Sequence, residues 1–239
     1  MAFRTESVEK KSRYYSIKEG TFRLPTDKED PEAVARPYNN PKTGVSGVAY
    51  ERAYKALFGK VKDVSFRENT LKDGTNLRSM NIYLGDDENG IGQVISIPVS
   101  SRFTADFLKK LPNIDLDAEV RIAPYDFEPE QGPRRVGLTI TQPDSNDSFN
   151  VKVENFFLQE TLEADGHKTY KNLHGFPEAT DEDKKDWPFY FKKCEKFLIK
   201  YAEENILHKF GTGGGTDPDA TDETEDAPTD EVSPDDIPL

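Results

Sequence analysis

Asn76-Leu77-Arg78-Ser79-Met80-Asn81-Ile82-Tyr83-Leu84 alternates along its length, with Met80, Ile82 and Leu84 on one face and Ser79, Asn81 and Tyr83 on the other. A period of two marks a strand with one face buried. Gly85 to Gly90 reads as a turn, and Ile91 to Val99 as the next strand, in which Ile91, Gln93, Ile95 and Ile97 oppose Gly92, Val94 and Ser96. On the other side, Leu57 to Glu68 reads as a strand bent at Gly59, because a glycine inside a strand pattern often marks a bulge. Lys72-Asp73-Gly74-Thr75 supplies the turn between those two strands.

After Val99 the period changes. Phe103, Phe107, Leu108 and Leu111 fall at helical spacing behind Ser100 or Ser101, either of which can cap a helix, and Pro112-Asn113 stops it. Alternation then resumes over Glu119 to Glu128, Val120 and Ile122 against Arg121 and Ala123, with Tyr125 and Phe127 after Pro124. Glu128 to Pro133 makes a polar turn, Arg134 to Gln142 a fifth strand, and Phe149 to Gln159 is a candidate for one more. Three strands, a helix and two strands in that order are the sequence pattern of an OB-fold, a five-stranded Greek-key barrel that commonly binds oligonucleotides and also takes oligosaccharide and protein ligands. The expected fold class is mainly β with flanking helices: an OB-fold followed by a C-terminal helix and a disordered acidic tail.

The flanks complete the expected organisation. Residues 1–50 are polar and interrupted by Pro25, Pro31, Pro37 and Pro41, which predicts an N-terminal arm, either loosely packed or closing over a bound strand. Lys10-Lys11-Ser12-Arg13-Tyr14-Tyr15 and Phe22-Arg23 set basic beside aromatic residues within it. Residues 51–160 form the barrel domain and 161–210 a helical extension. In the extension, Asp186-Trp187-Pro188 starts a helix whose stripe is Phe191, Cys194, Phe197, Leu198, Tyr201 and Ile206. Gly211-Thr212-Gly213-Gly214-Gly215 is a hinge into a flexible tail, 211–239.

Net charge is -13, but ten acidic and no basic residues lie beyond Gly211, leaving 32 basic against 35 acidic before it. The body is close to neutral and the acidity belongs to the tail. No apolar run approaches the roughly 20 residues of a membrane span, and Met1 to Lys10 lacks the apolar stretch of a signal peptide. Cys194, the only cysteine, cannot form an intramolecular disulfide, which fits a reducing compartment. A cytoplasmic protein without membrane partners is expected.

The tail closes on Ser233-Pro234-Asp235-Asp236-Ile237-Pro238-Leu239. This resembles the C-terminal tip of bacterial and bacteriophage single-stranded DNA-binding proteins, where a run of Asp leads into Ile-Pro-Phe; Leu239 stands in place of the Phe. The resemblance implies a non-enzymatic protein that coats single-stranded DNA during replication, recombination or repair. It also implies that Asp235, Asp236, Ile237, Pro238 and Leu239 recruit a polymerase, helicase or primase, and that the tail competes with DNA for a basic groove. Docking of such a tip would place the acidic groups on Arg or Lys at the rim of an apolar pocket.

A sequence-tolerant single-strand site needs aromatic faces for stacking and cations along the phosphates. By strand parity Tyr83, Arg121, Tyr125 and Phe127 point outward. Lys60, Lys62, Phe66 and Arg67 on the first strand and Arg78 on the second are read as facing outward too, and with Arg134 and Arg135 in the turn before the fifth strand they can supply the rest. Each has a plainer alternative, since strand aromatics often pack in a core or between subunits and lone cations are often only solvated. No catalytic, metal or cofactor site is legible. His167, His174, His208 and Cys194 lack zinc spacing, and Gly211 to Gly215 lacks the Lys-Ser/Thr end of a phosphate loop. Two alternatives stand beside the main expectation: an OB-fold accessory module of a DNA-processing enzyme, and an adaptor whose acidic tail imitates nucleic acid. Homo-oligomerisation is compatible with all three.

Overall fold

The computed structural model describes residues 12–39, 46–70, 76–87, 90–163 and 166–210. The turn Lys72–Thr75, the hinge and the acidic tail with its tip lie outside these residues. The strands are β1 (Ser12–Lys18), β2 (Thr21–Pro25), β3 (Val34–Asn39), β4 (Ser46–Tyr54), β5 (Leu57–Gly59), β6 (Asp63–Thr70), β7 (Asn76–Asp86) and β8 (Gly92–Pro98). Helix α1 (Arg102–Lys110) follows, then β9 (Val120–Phe127), β10 (Arg135–Gln142), β11 (Val151–Lys152), β12 (Leu158–Leu162), β13 (Lys168–Asn172) and α2 (Trp187–Asn205). They form a seven-stranded sheet, β3-β4-β2-β1-β8-β7-β6, a four-stranded sheet, β11-β10-β9-β5, and the β12-β13 hairpin. The molecule is therefore mainly β with two helices. No helix among the described residues is long and apolar enough to cross a membrane.

The alternation along β7 takes the expected register. Met80 and Ile82 pair with Phe66 and Val64 of β6 on one side and with Ile97 and Ile95 of β8 on the other. Met80, Ile82, Leu84, Val64, Ile95 and Ile97 are buried, and they meet Leu57, Val120, Ile122, Leu138 and Ile140 of the smaller sheet in one core. The chain passes from one sheet to the other at Gly59. Its φ of +154° is open to glycine, and a Cβ there would stand 2.5 Å from the Leu84 carbonyl oxygen. β5 thus pairs with β9 while β6 pairs with β7.

The expected arm is not an arm over its described part. β1 to β4 belong to the large sheet, β1 running parallel to β8 with Tyr14 opposite Val94 and Tyr15 opposite Ile95. Tyr15 and Phe22 are buried in the core. The physical reason is the edge of β8, whose N–H and C=O groups β1 satisfies. Arg36 on β3 reaches Glu51 on β4 at 3.1 Å, helping to hold these polar strands in register.

Helix α1 is capped by the Ser101 hydroxyl, which accepts from the Phe103 amide at 3.2 Å. Its inner face buries Phe103, Phe107 and Leu108. Its flank completes β10: an Asp106 carboxylate oxygen accepts from the Leu138 amide at 2.6 Å and from Lys110 Nζ at 2.8 Å, and Lys110 also donates to the Leu138 carbonyl. A side-chain pair one helical turn apart therefore does for this edge what a neighbouring strand would do. Further along, Val153 N donates to the Ile140 carbonyl at 2.9 Å, and β11 takes over.

Beyond β11 the expected strand over Phe149 to Gln159 is two separate pieces, β11 and β12, and residues 161–210 open with a hairpin strand before their helix. The exposed faces of β12 and β13 leave little apolar alternation to read. Helix α2 starts as expected, the Asp186 side chain accepting from Phe189 N at 3.1 Å. Its buried face is Cys194, Leu198, Ile199 and Ala202, so Phe191 at the expected stripe is left exposed. Phe197 and Tyr201 join Phe157 and Phe176 in an aromatic cluster, with Phe157 and Tyr201 ring centroids 4.9 Å apart.

Candidate nucleic-acid interface

The outer face of the smaller sheet is read directly from its register. Phe58 on β5 lies opposite Arg121 on β9, Arg121 opposite Thr141 on β10, and Thr141 opposite Lys152 on β11, one row across four strands. Further along β9 the pairs on this face are Ala123 with Thr139, Tyr125 with Gly137 and Phe127 with Arg135. Phe58 and Phe127 are 48% and 50% exposed, large apolar side chains on a face that carries two arginines. Among the described residues neither Arg121 nor Arg135 is in an ion pair. Such a face offers π surfaces and uncommitted positive charge together.

Local packing holds these rings in place. Tyr125 lies across Gly137, where any Cβ would strike its phenol, so the glycine makes room for the ring. Tyr125 and Phe127 have centroids 6.1 Å apart. Burial pushes the Tyr125 phenol above its ordinary pKa, helped by Asp106 and opposed by Arg135. It therefore stays neutral, a flat hydrogen-bonding ring. Phe58 meets Phe149, from the loop after β10, edge to face at 5.2 Å.

The other expected residues fall elsewhere. Lys60 and Lys62 occupy the link between β5 and β6, Lys62 exposed, so their charge stands where the two sheets join. Tyr83 and Arg67 lie on the outer face of the large sheet, on β7 and β6. Tyr83 donates to Asp86, and burial together with that hydrogen bond pushes its phenol up to about 12. Arg134 is held by Asp126 in a two-pronged pair at 2.7 and 2.8 Å, which neutralises it.

Phe66 and Arg78 have the opposite parity. Phe66 pairs with Met80 and packs against the core, while Arg78 stacks 5.1 Å over the Phe66 ring and reaches Glu203 of α2 at 3.3 Å. These two stand in structural contacts between the sheet and α2, so the expectation that they face outward is corrected. Their parity was open to reading: Phe66 is two residues beyond the core residue Val64, and Arg78 two before Met80. The tip residues Asp235 to Leu239 lie outside the described residues.

Sequence reasoning missed Phe58, Thr141, Phe149 and Lys152. Phe58 carried a signal, since the residue after inward-facing Leu57 must face out. Phe149 and Lys152 had none, because their approach depends on the loop after β10. A groove between α1 and α2 is lined by Phe103, Tyr190, Phe191, Cys194 and Leu198. Burial pushes the Cys194 thiol up, away from the thiolate a nucleophile needs. His174 stacks on Phe156 at 3.9 Å.

No family model matches this chain, and neither a curated protein nor a solved structure matches it.

Proposed function

We propose that the chain binds single-stranded DNA, without strong sequence preference, on the outer face of β5, β9 and β10. The observation that carries the proposal is the pairing of the exposed rings Phe58 and Phe127, and the partly buried ring of Tyr125 between them, with Arg121 and Arg135 on one face. Base stacking on such rings is worth about 1–3 kcal/mol per base and tolerates any base, while the guanidinium groups hold phosphates. Lys60 and Lys62, at the link between the two sheets, add positive charge beside Phe58.

The strand order supports an OB-fold reading. Taking β5 and β6 as one bent strand, β8-β7-β6 and β5-β9-β10 share it, and α1 lies between β8 and β9 in the chain. The departure is at the seam, where β8 pairs with β1 and α1 caps β10. In this reading the chain is similar to the phage and bacterial single-stranded DNA-binding proteins. It acts in replication or recombination in the cytoplasm without doing chemistry itself, and its acidic tail recruits replication proteins and competes for the cationic face.

The test is fluorescence anisotropy of labelled oligo-dT and of matching duplex at several salt concentrations, with the full chain and with a truncation after Phe210. Tight, salt-weakened binding to the single strand, stronger in the truncation because ten competing negative charges are gone, is expected. Absence of binding by both forms would overturn the proposal in favour of an adaptor, and metal-dependent cleavage would favour an enzyme module.

A further inference from the structure

The row Phe58, Arg121, Thr141, Lys152 contains a hydroxyl that its surroundings do not explain. Thr141 is only 9% exposed although it lies on the outer face, and its Oγ1 is buried without a hydrogen-bond partner. Arg121 and Lys152 flank it across the strands, and Phe58 is one strand further. Buried hydroxyls are nearly always paired, and each exception calls for an explanation.

Phe149 supplies the second observation. Its ring meets Phe58 at 79° and 5.2 Å, a contact between an exposed ring and a half-buried one. It stands between two anchored points. On one side Asp144 closes a turn, its carboxylate accepting from the amides of Asn146 at 2.8 Å and Ser148 at 3.1 Å, and its own amide donating to the Ser148 carbonyl at 2.8 Å. On the other side β11 pairs with β10 through Val151 and Lys152. The Phe149 side chain can therefore turn away from Phe58 about its own torsions while the turn and the strand stay formed.

We propose that Phe58 and Phe149 are the two jaws of a clamp for one nucleobase, with Thr141 and Arg121 as its floor. Turning Phe149 opens a face of Phe58 to a planar ring of comparable size. The base stacks there, the Thr141 hydroxyl hydrogen-bonds its edge, and Arg121 pairs with the adjoining phosphate. Lys152 is engaged by Glu154 at 3.1 Å and contributes mainly long-range attraction. A hydroxyl is both donor and acceptor, so the floor accepts any base, in keeping with stacking as the main attraction. The clamp rests on the single-strand reading of this face and gives it one defined base position.

The test uses the full chain with Phe149→Trp and, separately, Phe58→Leu, which keeps apolar volume beside Phe149 and removes the ring face. Each is titrated with oligo-dT and with a deoxyribose-phosphate oligomer of equal length that lacks bases. In a Trp187→Phe background, so that the indole at 149 alone emits, emission of the Phe149→Trp protein is expected to change with oligo-dT and not with the baseless oligomer. Phe58→Leu is expected to weaken oligo-dT by about 5- to 150-fold while leaving the baseless oligomer unaffected. Equal emission changes with both oligomers, or equal weakening of both by Phe58→Leu, would overturn the clamp and leave the single-strand reading standing. Failure of the unsubstituted chain to bind either oligomer would remove that reading and the clamp with it.

Discussion

Asp106→Ala removes the acceptor that completes the edge of β10. The Leu138 amide, 2.6 Å from that carboxylate, would be left unpaired inside the protein, at about 1–3 kcal/mol. Lys110, whose side chain is 9% exposed, would lose its counter-charge and keep only the Leu138 carbonyl. Breaking a fully buried pair costs about 3–5 kcal/mol, but Asp106 is 23% exposed and water relieves part of the loss. The two effects overlap, so the expected destabilisation is about 3 kcal/mol, or about 6–12 °C in thermal midpoint for a domain of this size. Asp106→Asn keeps an oxygen for the Leu138 amide and gives up the charge, so it should cost about 1 kcal/mol. Urea and thermal unfolding followed by circular dichroism measure both. Because β10 carries Arg135, oligo-dT affinity should fall with stability in the same order. If Asp106→Ala lies within about 0.5 kcal/mol of the parent, or if the asparagine variant is equally damaged, side-chain completion of this edge is not what holds β10 in place.

Arg121→Ala and Arg135→Ala should each lower the slope of log affinity against log salt for oligo-dT by about 0.7, the single-strand value per phosphate contact, and an unchanged slope would remove that arginine from the interface. Arg78→Ala should cost about 0.5–1 kcal/mol of stability through lost contact with Phe66 and Glu203 and leave the salt slope alone; a drop in slope would show Arg78 on phosphate after all. The Tyr83 phenol, raised to about 12 by burial and by its bond to Asp86, favours the neutral form in the folded chain. Its contribution to stability is therefore complete below the ordinary phenol pKa of about 10 and lost as pH climbs through about 12. Tyr190, Tyr15 and Tyr125 are raised as well, so the tyrosinate absorbance titration of Tyr83→Phe should lose one phenol from the late-titrating amplitude, and an unchanged late amplitude in that variant would refute the assignment.

Local pattern determined much of this protein. The alternation Met80, Ile82, Leu84 against Ser79, Asn81, Tyr83, the bend at Gly59, the Ser101 cap and the start of α2 at Asp186 are properties of a few neighbouring residues, and so could be read without the fold. Strand parity likewise placed Arg121, Tyr125 and Phe127 on a common outer face, because β9 has a period of two whatever it pairs with.

Only the tertiary structure decided which partners these elements take. β1 reads as polar and weakly alternating, yet β8 needs a neighbour for its backbone, and that need arises more than seventy residues away in the chain. Asp106 and Lys110 look like any surface pair one helical turn apart until β10 is brought beside them. The same holds for the proposed interface: Phe149 meets Phe58 only because the chain turns at Asp144 before β11, while Arg78, equally cationic in sequence, is taken up by Phe66 and α2. Period and propensity act over a few residues and fix the direction of each side chain. Pairing an exposed backbone edge or placing a charge depends on contacts between distant segments, which exist only once the chain has folded.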